Sequence, residues 1–148
     1  MKISFDLDDT LIPSNPSDFL VIQQNIFQKI LSVEQLREGS LELIHALQSK
    51  GHHVGIYTTS YRSKLKIRFQ LLTYGIKVAF VINEKINRKE LNRRNLSASK
   101  YPPAFNIDLH IDDSKGVAIE GDRLNFKAII IPKNQESWQR EIIKQVNL

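Results

Sequence analysis

The sequence predicts an α/β domain, a central five-stranded parallel sheet with helices on both faces, and three observations carry that expectation. Short β-branched and aromatic runs alternate with stretches of helical spacing, the pattern that sets helices between parallel strands. The third such run, Val78-Ala79-Phe80-Val81-Ile82, is almost wholly apolar, as a strand covered on both faces must be. Two of the runs also end in clustered carboxylates, at the strand ends where open α/β sheets bind ligands. At 148 residues the chain makes one domain, 1–148, with a single core.

Lys2-Ile3-Ser4-Phe5 opens the chain as a buried strand, and Asp6, Asp8 and Asp9 follow within four residues. Side chains two apart on a strand share a side, so Asp6 and Asp8 are expected to project together. Like charges that close persist most easily with a divalent cation bound, a proton on one of them, or both. The plain alternative is a solvated acidic turn, since turns commonly carry Asp. Residues 13–17 are rich in Pro and Ser and read as a loop. Ser17 or Asp18 then caps a helix through Phe19, Leu20, Ile22, Gln23, Ile26, Phe27 and Ile30.

Gly39-Ser40 opens a second helix with Leu41, Leu43, Ile44 and Leu47 as its apolar stripe, stopped at Gly51. His53-Val54-Gly55-Ile56-Tyr57 is the second strand and runs into Thr58-Thr59-Ser60. That triplet is also a normal helix entry, and the spacing predicts a helix over 61–74, ended by Gly75. After the third strand, residues 83–99 are polar and basic and read as a broken helix and loop. The prolines of Lys100-Tyr101-Pro102-Pro103 predict extended chain. Ile107-Asp108-Leu109-His110-Ile111 is a fourth strand ending at Asp112-Asp113-Ser114, with a helix from Lys115 onward. Residues 125–131 give a fifth strand stopped by Pro132, and 136–146 a closing helix with Trp138 and Ile142 facing inward.

Phe5-Asp6-Leu7-Asp8-Asp9-Thr10-Leu11 resembles the first motif of the haloacid dehalogenase-like (HAD) phosphohydrolases: an Asp, any residue, an Asp and a small turn before a Thr. The strand-end hydroxyls at Thr58-Thr59 are similar to that family's second motif, and the acidic pair Asp112-Asp113 to its fourth. The resemblance covers nearly the whole chain. It implies a Rossmann-like HAD fold with strand order 5-4-1-2-3 and a magnesium-dependent (Mg2+) hydrolysis of a phosphate monoester. On that resemblance Asp6 is the nucleophile that forms an aspartyl-phosphate. Asp8 is the general acid and then the base, its pKa moved toward neutrality by an anionic neighbour. Thr58, with Thr59 beside it, holds the transferred phosphoryl group.

The family also needs a lysine between its second and fourth motifs. Lys100 is the first choice, because the Pro-Pro turn fixes it just before the fourth strand, and Lys85 the second. Magnesium prefers oxygen ligands. Asp6 gives a carboxylate, Asp8 its main-chain carbonyl, Asp113 is the preferred acid of the later pair, and Asp112 binds directly or through a water. His110 is expected in the strand interior as a core or supporting residue, and Asp9 as a brace for the turn. Where the family inserts a cap, this chain has room only for a small helical excursion at about 13–38, so the site should be open.

The composition, 41% hydrophobic and 25% charged, is that of an ordinary globular protein. Without cysteine there is no disulfide, thiol nucleophile or thiolate metal site. No secretory pattern stands at the amino terminus and no run approaches a membrane span, so the expectation is a cytoplasmic protein with no membrane partner. The net charge of +5 concentrates between Arg62 and Lys100. Such a field attracts phosphate-bearing partners, or is simply a solvated face. A small phosphorylated substrate is the first expectation. A nucleotide or nucleic-acid-end phosphatase is the alternative, unsupported by any nucleic-acid motif, and a non-catalytic HAD-like binding protein a further one. A signalling receiver domain fits badly, since no Asp lies between Glu34 and Phe105 to accept a phosphoryl group.

Overall fold

Ile3 and Phe5 are fully buried on one face of the first strand, β1 (Lys2–Phe5), while Ser4 is buried on the other. That double burial follows from its place in the computed structural model, which describes residues 1–146: β1 is the central strand of the sheet. It pairs in parallel with β2 (His53–Tyr57) on one side and β4 (Leu109–Asp112) on the other. β3 (Val81–Ile82) extends the sheet beyond β2, and β5 (Ala128–Ile130) beyond β4. The order is β3-β2-β1-β4-β5, all parallel, which from the opposite edge reads 5-4-1-2-3. After β3 the chain crosses to the far side of β1, so the direction of winding reverses between β1 and β4. Crevices form at such a switch point, outside the carboxyl ends of the strands.

Helices cover both faces. Leu43, Ile44 and Leu47 of α2 (Ser40–Ser49), Ile67 and Leu71 of α3 (Lys64–Thr73), and Trp138 and Ile142 of α6 (Trp138–Val146) share one core with Ile3, Phe5, Val54, Ile56 and Ile111. On the other face Tyr57 and Ile82 pack with Ile86 of α4 (Glu84–Arg93) and with Phe105. The helix α5 (Lys115–Leu124) joins β4 to β5, with Gly121 packed closely against Phe126. Among the described residues no helix is long and apolar enough to cross a membrane.

Several expectations are corrected. The helix from Phe19 to Ile30 shrinks to α1 (Ile26–Ile30), capped by Asn25 rather than by Ser17 or Asp18. Residues 20–22 instead run antiparallel to 36–38, with Ile22 N donating to Leu36 O and Glu38 N to Leu20 O. Leu20, Ile26, Phe27 and Ile30 are exposed, so their helical spacing does not report a core face. The excursion at 13–38 is thus mostly irregular chain. α3 starts at Lys64, capped by Ser63, not near Tyr61, where Ser60 Oγ takes the backbone N–H of Arg62. β3 keeps only Val81–Ile82; Ala79 N and Phe80 O still bond to β2, while Arg68 takes the carbonyls of Val78 and Ala79.

The polar stretch after β3 is a regular helix, α4, capped by Asn83; two of its three buried residues, Glu84 and Asn87, are polar, which hides the stripe from a hydropathy reading. Pro102–Phe105 is a 3-10 turn rather than extended chain. Prolines at the first two helical positions give up N–H groups that would have no partner there.

Candidate active site

The acidic loop after β1 is pinned from within: Leu7, Leu11 and Ile12 are buried, and Leu11 N and Ile12 N both donate to Leu7 O. Asp9 turns the chain at φ 62° and accepts from Ser14 N, with Lys133 Nζ 2.9 Å from its carboxylate. It braces the turn, as expected. Asp6 N still donates to Ile111 O just past the end of β1, and beyond it Asp6 and Asp8 acquire different partners. Lys100 Nζ donates to Asp6 Oδ1 at 2.6 Å, whereas Arg62 Nη1 lies 2.9 Å from the Asp8 carboxylate. The neighbour bonded to Asp8 is a cation, not the anion that the sequence suggested.

At the end of β4 the same ammonium donates to Asp112 Oδ2, also at 2.6 Å. His110 Nε2 lies 2.9 Å from that oxygen, and its Nδ1 lies 2.8 Å from Ser4 Oγ on β1. A carboxylate only accepts, so the imidazole proton sits on Nε2 and the Ser4 hydroxyl donates to Nδ1. Ser114 N donates to the remaining oxygen of Asp112. His110 is therefore a supporting residue, fully buried, as its strand position predicts. Asp113 is half-buried and accepts from Thr10 Oγ1 at 3.3 Å. One carboxylate oxygen from each of Asp6, Asp112 and Asp113 lies within 4.8 Å of the others, so the three can share one cation.

Burial sets the electrostatics first. It pushes the Asp6 carboxyl above the usual range, with Lys100 opposing the shift and Asp112 adding to it. Asp112, though desolvated, is held far below that range by His110 and Lys100. Burial and the Asp112 charge raise Asp113. Burial works against the Lys100 ammonium, yet Asp6 and Asp112 together carry it above its ordinary value. Burial, and then Lys100, keeps His110 neutral by lowering its pKa. Of two carboxylates sharing one ammonium, Asp112 holds the negative charge more readily because it has more donors.

Thr58 directly follows β2 and is buried, its Oγ1 accepting from Ser60 N at 3.1 Å, while Thr59 is exposed. Lys85 is exposed on α4, and only Lys100 of the two candidate lysines reaches the acidic cluster. Three residues that position the cluster were missed. Arg62 clamps Glu34 through Nε and Nη2 at 2.9 and 2.6 Å while holding Asp8, so it ties the excursion to the acidic loop. Glu120 on α5 accepts from the backbone N–H groups of Ser99 and Lys100. The Tyr57 hydroxyl accepts from Tyr101 N at 2.8 Å. Neither Arg62 nor Glu120 had a distinguishing signal in the sequence.

The basic stretch is less of a field than its count suggests. Arg62, Arg88, Arg93 and Arg94 sit in ion pairs, and Lys100 is buried. A cleft of about 880 Å³ lies beside the cluster, lined by Phe19, Arg37 and Trp138 among others, with Lys133 at its edge reaching Asp9. None of Asp6, Asp112 and Asp113 lines it. No family model matches the chain, and no curated protein matches it at a significant level.

Proposed function

We propose that the protein is a small HAD-type phosphatase that hydrolyses a phosphate monoester through an aspartyl-phosphate on Asp6. One observation carries the reading: carboxylates from the ends of β1 and β4 meet at the sheet's switch point, with the Lys100 ammonium bonded to two of them. The resemblance of the acidic loop to the HAD first motif supplies the roles. Asp6 attacks phosphorus in line, the bond to the leaving oxygen breaks, and Asp8 gives that oxygen its proton. Asp8 then takes a proton from water, which attacks the aspartyl-phosphate, frees inorganic phosphate and restores Asp6. Lys100 holds Asp6 in place, and the Thr58 hydroxyl binds the phosphoryl group. Arg62 Nη1 donates to Asp8, and a substrate phosphate is an anion that competes for the same guanidinium.

The donor set suits a hard divalent cation, being all carboxylate with no thiolate. Three carboxylates against one ammonium leave an excess of negative charge that such a cation offsets. Mg2+ would be held by Asp6, Asp112 and Asp113 with the main-chain carbonyl of Asp8. When bound it neutralises phosphoryl charge as the leaving group departs. The half-exposed Asp8 carboxylate leaves room for a large leaving group, which keeps a nucleotide or nucleic-acid end as the second substrate class.

The purified protein should hydrolyse p-nitrophenyl phosphate with Mg2+ and not with EDTA, and Asp6→Asn should abolish the activity. Equal turnover by that variant, or none by folded wild type across a broad phosphoester panel, overturns the proposal. A 3′-phosphorylated oligonucleotide in the same panel separates the two substrate classes.

A further inference from the structure

We propose that the outward face of α3 is a docking surface for an acidic amphipathic helix of a partner protein. The helix is apolar on two opposite sides. Ile67 and Leu71 enter the core, while Leu65, Phe69 and Leu72 are 80%, 51% and 54% exposed on the other side. An amphipathic helix needs only one apolar side for the core, and a second stripe this exposed marks a site of association. The spacing says what shape covers it. Steps of four and then three residues put Leu65, Phe69 and Leu72 at d, a and d of a heptad, the seam on which a second helix packs.

Charge says which helix. Lys66 and Arg68 fall at the flanking e and g positions, Lys64 lies one turn before Arg68, and the segment Lys64–Thr73 contains no carboxylate. The Arg68 guanidinium is fixed at the edge of the seam by the carbonyls of Val78 and Ala79, at 2.7 and 3.2 Å. A second copy of this helix would set cation against cation in either orientation, so self-pairing is disfavoured. A partner with Leu or Ile at its seam and Glu at its e and g positions is complementary on both counts. Gln28 Nε2 donates to Thr73 O at 2.8 Å, which ties α1 to the helix's carboxyl end.

The test uses two synthetic 21-residue peptides with Leu at a and d, one with Glu and the other with Lys at e and g. Fluorescence anisotropy with the full chain should show the Glu peptide binding at least about tenfold more tightly. Raising ionic strength from about 0.01 to 0.1 M, which shortens screening from roughly 30 to 10 Å, should weaken that binding several-fold. Leu65→Ser with Phe69→Ser should abolish it while leaving the thermal melt and p-nitrophenyl phosphate turnover unchanged. Equal binding of the two peptides, no binding of either, or binding untouched by the double variant overturns the proposal. So does concentration-dependent dimerisation of the protein alone by sedimentation, or binding of phosphatidylserine vesicles in place of the Glu peptide.

Discussion

Burying an ammonium is costly unless its charge is answered, and Lys100 is answered twice, by Asp6 and by Asp112, at 2.6 Å each. Removing it leaves two desolvated carboxylates facing each other. Lys100→Met should therefore cost about 3–5 kcal/mol in urea unfolding, with Mg2+ restoring part of the loss because a divalent cation answers the same charges. A variant as stable as wild type would mean that the ammonium is not what holds the cluster together. Lys100 was legible in the sequence because the prolines after it fix its distance from β4. Arg62 was not, because nothing in a run of basic residues distinguishes the one that reaches back to Asp8 and Glu34 from those that face water.

Elements were readable where hydropathy and structure share a period. β2 falls on His53–Tyr57 as expected, and a Cβ built on Gly55 would lie 2.6 Å from the Phe80 ring. Gly55→Ala should accordingly cost about 1–3 kcal/mol by chemical denaturation, since the ring must move to make room. α4 was unreadable because its inward stripe is Glu84, Asn87 and Leu91, which hydropathy scores as surface. The same helix carries a pH-dependent contribution. Hydrogen bonds from Arg93 and Arg94 lower the Glu90 carboxyl to about 2. A depressed acid stabilises the fold above its unfolded value near 4.5, and that contribution fades as pH falls toward the folded one. Glu90→Gln should thus unfold slightly more easily than wild type at pH 6 and equally easily near pH 2, with the gap shrinking in high salt. The helix expected from Phe19 to Ile30 shrank for another reason: Leu20, Ile26, Phe27 and Ile30 keep helical spacing yet face outward, and pairing with 36–38 claims the backbone first.

At the scale of the whole molecule the site exists only because a long crossover returns the chain to the far side of β1, which brings Asp112 and Asp113 to Asp6 across more than a hundred residues of sequence. On the proposed function, a cation bound there is linked to folding. Mg2+ at a hundred times its dissociation constant adds about 2.7 kcal/mol, so thermal melts of wild type should shift upward by several degrees, and Asp113→Asn should lose most of the shift. No shift with any divalent cation would remove the metal from the proposed mechanism. The sequence by itself determined the parallel α/β architecture and the two strand-to-carboxylate junctions, because alternating apolar runs and strand-end acids are local patterns. Only the tertiary structure decided which charges meet, Lys100 with Asp6 and Asp112, and Arg62 with Asp8. Salt-bridge partners are chosen by proximity in space and by the cost of leaving a buried charge unanswered, and neither is written in the order of residues along the chain.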